Sequence, residues 1–200
     1  MMKKKMLIFG GIIIVAFVLF VLFFKNGEGI IGTPTLIVET PQKISASDKE
    51  IFTLDLTITS LGKAIYPAAS FSISFDSSRL EFMGIEEGNV FVKNDVLDTA
   101  ISQKLPEWSY NTEMSNKNGE INIMYLDTTG GKNAFSRELL AEDDNVILRL
   151  SFRLRGSART GDVYDLIVED AVFAASDETQ SLSVLQKTLK IKDGRIIVGE

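Results

Sequence analysis

Stretch after stretch of this chain alternates apolar and polar residues with a period of two. That pattern restricts the fold more than any other feature. In residues 51–60, IFTLDLTITS, Phe52, Leu54, Leu56 and Ile58 alternate with Thr53, Asp55, Thr57 and Thr59. In residues 145–155, Val146, Leu148, Leu150, Phe152 and Leu154 fall on one face, and Arg149, Ser151, Arg153 and Arg155 fall mostly on the other. Residues 71–75, FSISF, put Phe71, Ile73 and Phe75 against Ser72 and Ser74 before a polar turn at Asp76-Ser77-Ser78. Successive side chains of a strand point to opposite faces, so each stretch reads as a half-buried strand with one face on a core.

The remaining segments follow suit. Strands are expected at 35–40, 51–60, 66–75, 80–85, 108–110, 121–126, 145–155, 163–174 and 196–198, separated by turns such as Asn116-Lys117-Asn118-Gly119 and Asp193-Gly194. Only residues 134–143, AFSRELLAED, read as helical, with Phe135, Leu139 and Leu140 on one side. Residues 182–192 fit either a strand or a short helix. Nine strands with so little helix imply an all-β, antiparallel β-sandwich of the jelly-roll kind.

The chain has 200 residues and no cysteine or histidine. Disulfides are excluded, so the sandwich must rest on its hydrophobic core. Cys–His and Ser–His–Asp catalysis are excluded too, along with zinc sites built on thiolate or imidazole.

Residues 6–24 contain no charge and follow Lys3, Lys4 and Lys5. A helix of that length rises about 28 Å, close to the ~30 Å hydrocarbon thickness of a bilayer. The stretch ends Leu22-Phe23-Phe24-Lys25 without the small residues of a cleavage site, so a retained signal anchor is expected rather than a cleaved signal. The lysines place the N-terminus in the cytoplasm and the remainder outside the cell. The expected organisation is a cytoplasmic and transmembrane segment at 1–25, a short linker at 26–33 and an extracellular sandwich at 34–200. Beyond position 25 lie all 27 acidic and 17 of the 21 basic residues, a net charge of −10. Such a body does not attract nucleic acid or anionic lipid.

Little in the sequence suggests bond-making chemistry. Glu86-Glu87 and Glu169-Asp170 are adjacent on strands and point to opposite faces, whereas a glycosidase needs two carboxylates facing across a cleft. Asp127, Glu142, Asp143 and Asp144 offer oxygen ligands for a structural calcium, but their spacing matches no EF-hand loop. Solvated acidic turns are the plainer account, and no metal site is assigned. Trp108 and Tyr110 are the candidates for stacking on a sugar ring, although one Trp–Tyr pair fits a core or edge strand equally well.

Four pieces occur in a definite order: FSISFDSSRLEFMGIEEG, GEINIMYLDTT, NVILRLSFRLRGSARTGDVYDLIVEDAVFA and KIKDGRIIVG. Phe75-Asp76 with Leu80 and Gly88, then Gly119, Ile121, Leu126 and Asp127, then Phe152, Gly156, Thr160 and Gly161, and last Gly194, Ile196 and Val198 resemble the cohesin modules of cellulosome scaffolds. The resemblance spans roughly residues 34–199. It implies a nine-stranded jelly roll without catalytic activity that binds a dockerin, a small calcium-loaded helical protein. The partner face implied is one sheet of strand order 8-3-6-5, in which residues 68–75 are strand 3 and residues 119–127 are strand 6. With Phe71, Ile73 and Phe75 inward, Ser70, Ser72 and Ser74 face out. With Ile121, Ile123 and Tyr125 inward, Asn122, Met124 and Leu126 face out. Such a face is flat, partly apolar and able to accept hydrogen bonds.

The expected function is therefore a membrane-anchored extracellular receptor for a dockerin-type or other secreted protein, with no enzymatic activity. Two other readings stand beside it. One is a surface carbohydrate-binding module using Trp108 and Tyr110 on a polysaccharide. The other is a structural envelope domain without a discrete ligand.

Overall fold

The computed structural model describes residues 32–41, 43–47, 49–90, 108–141, 144–156 and 158–200. The expected anchor at 6–24, all but the end of the linker, and the carboxylates of Glu142 and Asp143 lie outside the described residues.

Among the described residues, twelve strands form two packed sheets. They are β1 (Thr35–Val38), β2 (Ile44–Ser45), β3 (Phe52–Ile58), β4 (Ala68–Ser74), β5 (Leu80–Glu87), β6 (Trp108–Ser109), β7 (Glu120–Leu126), β8 (Val146–Leu154), β9 (Val163–Ala174), β10 (Leu182–Ser183), β11 (Lys190–Lys192) and β12 (Gly194–Gly199). One sheet runs β11-β1-β3-β8-β5; the other runs β2-β12-β9-β4-β7-β6, with β10 beside β9. The all-β sandwich is as the alternation predicts.

The strand count and pairing differ from expectation. β2, β10 and β11 are additional and span only two or three residues each, too short for a period to show. The ambiguous tract 182–192 resolves into β10 and β11 rather than a helix. Two pairs at the sheet margins, β1 with β11 and β2 with β12, are parallel rather than antiparallel.

The core is the sum of the inward faces. Leu54, Leu56 and Ile58 of β3, Phe71 and Ile73 of β4, Ile121, Ile123 and Tyr125 of β7, and Leu148, Leu150 and Phe152 of β8 are buried. Phe152 sits against three rings, stacked on Phe52 at 6.3 Å, edge-on to Phe75 at 5.5 Å and tilted to Phe82 at 5.6 Å. A second aromatic group gathers around Phe135, with Tyr125 at 5.3 Å, Phe173 at 5.4 Å and Trp108 at 6.0 Å.

Phe135 corrects the helix expected at 134–143. Its N–H donates to the Tyr66 carbonyl, and the Tyr66 N–H donates to its carbonyl, at 2.9 and 2.8 Å. That two-way bridge requires extended backbone, so among the described residues there the helical geometry is limited to a 3-10 turn at Arg137–Leu139. The ring is fully buried. Core burial overrides a local helical pattern of three apolar residues.

The one α-helix among the described residues, α1 (Thr112–Asn118), falls where a turn is expected. Asn111 caps it by accepting from the Met114 N–H, and Gly119 ends it at φ 72°, a left-handed conformation that favours glycine. Its work is done by Asn116. The Asn116 amide accepts from the Phe82 N–H and donates to the Phe82 carbonyl, both at 2.8 Å, so one side chain substitutes for a neighbouring strand at the outer edge of β5. Asn116→Ala removes both partners from a half-buried backbone and is expected to cost about 1–3 kcal/mol in urea-induced unfolding. Exposed Asn118→Ala is expected to stay within about 0.5 kcal/mol.

Candidate functional site

β4 and β7 pair antiparallel along their whole length, and their outward residues form matched rows. Ala68 lies opposite Leu126, Ser70 opposite Met124, Ser72 opposite Asn122 and Ser74 opposite Glu120. All six residues singled out from the sequence, Ser70, Ser72, Ser74, Asn122, Met124 and Leu126, therefore share one sheet face. Met124 and Leu126 are 57 % and 61 % exposed, while Ser72 and Ser74 are half-buried. The last four strands of this sheet run β9-β4-β7-β6, with β6 at the edge, the 8-3-6-5 order that the family resemblance implies.

The serine hydroxyls are already engaged as donors. The Ser72 hydroxyl donates to Glu120 Oε1 at 2.7 Å, and the Ser74 hydroxyl donates to Glu169 Oε1 at 2.9 Å. What these groups offer to solvent is acceptor capacity, from hydroxyl lone pairs and carboxylates. The face is accordingly a hydrogen-bond acceptor surface with an apolar margin.

Several contributors were not anticipated. β9 lies on the other side of β4, setting Asp170 opposite Ser72, Val172 opposite Ser70 and Ile167 opposite Ser74. A bulge at Glu169 supplies the extra residue. The signal is present in the sequence: buried Tyr164, Leu166 and Val168 keep step by two, and the next buried residues are Ala171 and Phe173. That jump of three marks a bulge. Ser109, Tyr110 and Asn111 line a depression of about 550 Å³ together with Ser70, Ser72 and Met124. Their place follows from β6 pairing with β7.

Trp108 and Tyr110 do not form a platform. Trp108 lies opposite inward-facing Tyr125, half-buried, with its ring 5.3 Å from Tyr125 and 5.7 Å from Phe71. Tyr110 is 39 % exposed and sits edge-on to Phe82 at 6.0 Å. Sugar stacking needs ring faces in solvent, and Trp108 spends its face on the core.

Asp127, a calcium candidate, organises its own loop. One carboxylate oxygen accepts from the Thr129 N–H and hydroxyl, the other from the Gly131 N–H at 2.6 Å. Burial pushes its carboxyl up, but the hydrogen bonds from Thr129, Gly131 and Asn133 outweigh it and hold the group below the usual carboxylate range. Asp144 instead accepts from the Asn89 amide at 3.1 Å. Among the described residues no three acidic side chains converge as metal ligands.

The fold is a two-sheet all-β sandwich whose outer sheet face is partly apolar. The cohesin-domain family model matches residues 39–192. The chain belongs to the cohesin family, whose domains are non-catalytic protein–protein interaction modules, and it is not an enzyme.

Solved structures agree on the fold. The third cohesin of ScaC from Acetivibrio cellulolyticus, in complex with the ScaB dockerin, is 17 % identical, with 84 % of this chain and 99 % of that chain covered and a TM-score of 0.58. The OlpA cohesin in complex with Doc918 from Clostridium thermocellum is 18 % identical, with the same coverage and TM-score. A non-cellulosomal cohesin from the hyperthermophilic archaeon Archaeoglobus fulgidus is 12 % identical, with 84 % and 93 % covered and a TM-score of 0.55. No curated protein matches the sequence.

Proposed function

We propose that this chain is a cell-surface receptor whose sandwich captures a dockerin-type or other secreted protein on the outer face of β9-β4-β7-β6. The observation that carries this reading is the pair Met124 and Leu126. Two large apolar side chains stand more than half exposed on an ordered sheet, in line with a row of small residues that lets a partner approach closely. Dockerins are the partners in the solved complexes of the ScaC and OlpA cohesins. Display outside the cell rests on residues 6–24, an uncharged stretch behind three lysines.

The test is capture of a panel of dockerin modules by the full chain. Ser70 and Met124 are direct cross-strand partners with exposed side chains, so Ser70→Arg with Met124→Glu alters the surface without touching the core. Loss of about 2 kcal/mol or more in binding, read by calorimetry with the melting temperature unchanged, is expected if these residues sit at the interface centre. Unaltered capture by the double variant would place the interface elsewhere. For the anchor, protease shaving of intact cells is expected to release the sandwich while leaving the N-terminal lysines protected.

A further inference from the structure

The proposed docking face has a direction built into it. Met124 lies opposite Ser70 of β4, and Ile167 of β9, 44 % exposed, lies opposite Ser74. The two apolar side chains are thus offset by four residues along the strands and two strands across. That is about 13 Å by about 10 Å, a diagonal of about 16 Å. Ser72 lies at the middle of that diagonal, with Glu120, Glu169 and Asp170 around it.

On the four strands of this face the charged side chains have one sign. β4, β6, β7 and β9 contain no lysine or arginine. The sandwich's other outer face is different, because β8 supplies Arg149 and Arg153, which pair with Asp55 at 3.0 Å and Glu81 at 2.7 Å. On the docking face Glu120 and Glu169 accept from the Ser72 and Ser74 hydroxyls, and Arg195 of β12, the strand beyond β9, pairs with Asp165 at 2.8 Å.

We infer that the partner element is an α-helix with a basic centre and apolar ends, crossing the face along the line from Met124 over Ser72 to Ile167. In a helix, positions i, i+4, i+7 and i+11 share one stripe, and i to i+11 spans about 16 Å. Apolar residues at i and i+11 then cover Met124 and Ile167. Lysine or arginine at i+4 and i+7 reaches the carboxylates and serine lone pairs between them. The opposite diagonal, from Glu120 to Val172, has no apolar residue at one end and does not suit such a helix. A second copy of this chain is disfavoured on its own charge, since the same acidic face would meet itself.

This inference rests on the docking face proposed above and adds the chemistry of its occupant. It is tested with two crosslinked helical peptides of about four turns, bearing leucine at i and i+11 and either lysine or glutamate at i+4 and i+7. Titrated against the full chain, the lysine peptide is expected to bind, to weaken with added salt, and to weaken by about tenfold or more on Asp170→Lys. The glutamate peptide is expected to bind the wild-type chain at least about tenfold less well. Met124→Ser together with Ile167→Ser should weaken the lysine peptide without changing its salt dependence. Equal binding of the two peptides, binding of neither, indifference to Asp170→Lys, or dimerisation of the chain through this face would each overturn the inference. A dockerin panel that binds regardless of the charge of its contact helices would overturn it while leaving the docking face intact. Peptide selectivity without dockerin capture would retain the helix chemistry and remove only the dockerin.

Discussion

Phe152→Ala is expected to cost about 3–5 kcal/mol of unfolding free energy, a large fraction of the roughly 5–15 kcal/mol by which native domains are stable. Phe152 lies on β8, which pairs with both β3 and β5, and Phe52 and Phe82 flank it directly across those pairings. Its ring is fully buried, and Phe75 reaches it from the opposite sheet's end. Truncation would leave three aromatic rings facing a void that two hydrogen-bonded sheets cannot close, because strand spacing is fixed by the backbone ladder. Phe152→Leu fills most of the volume and is expected to lose far less, about 1–1.5 kcal/mol. Denaturant unfolding of both variants checks the claim. Equal losses would mean that the cavity is not what matters.

Gly88→Ala is the second large effect, and its cause is the reverse. A methyl group at position 88 would lie 1.9 Å from the Val146 carbonyl oxygen and 2.5 Å from the Ile147 carbonyl carbon. The obstacle is backbone, which no rotamer change can move aside. The same Val146 carbonyl accepts the N–H groups of Asn89 and Val90 at 2.9 and 3.3 Å, so pushing the chain away breaks that junction as well. A loss of at least about 3 kcal/mol is expected, at the upper end of overpacking costs. The melting temperature of Gly88→Ala beside that of Gly156→Ala, where nothing lies within 4 Å, checks it. Similar melting temperatures would show that the close approach relaxes at little cost.

Gly88 also shows how far the family likeness reached. It was one of the residues carrying that likeness, yet nothing in the sequence said that it lies against the start of β8. The six outward residues of β4 and β7 were legible because period-two alternation assigns each side chain to a face without reference to anything distant. Asp170 and Ile167 were not placed on that face, although the step from Val168 to Ala171 records the bulge. Knowing that β9 neighbours β4 was the missing fact. The donor partners of Ser72 and Ser74 were hidden for a similar reason. They read as outward groups able to accept hydrogen bonds, and their donor protons are committed to Glu120, 48 positions away, and Glu169, 95 positions away.

Phe135 and Asn116 mark the limit from the other side. The residues around Phe135 carry a weak helical spacing, and a bridge to Tyr66 drew them straight. The residues around Asn116 look like a turn, and a cap at each end with an unpaired edge to cover made them a helix. Alternation, turn chemistry and the missing cysteines and histidines determined the sandwich, its inward faces and its lack of thiol or imidazole chemistry, because those properties depend on neighbours within a few residues. Which strands lie side by side, which hydroxyl meets which carboxylate, and where one sign of charge accumulates were decided by tertiary structure alone. Those depend on pairings between segments far apart in the chain, and a local pattern is satisfied equally well by many such pairings.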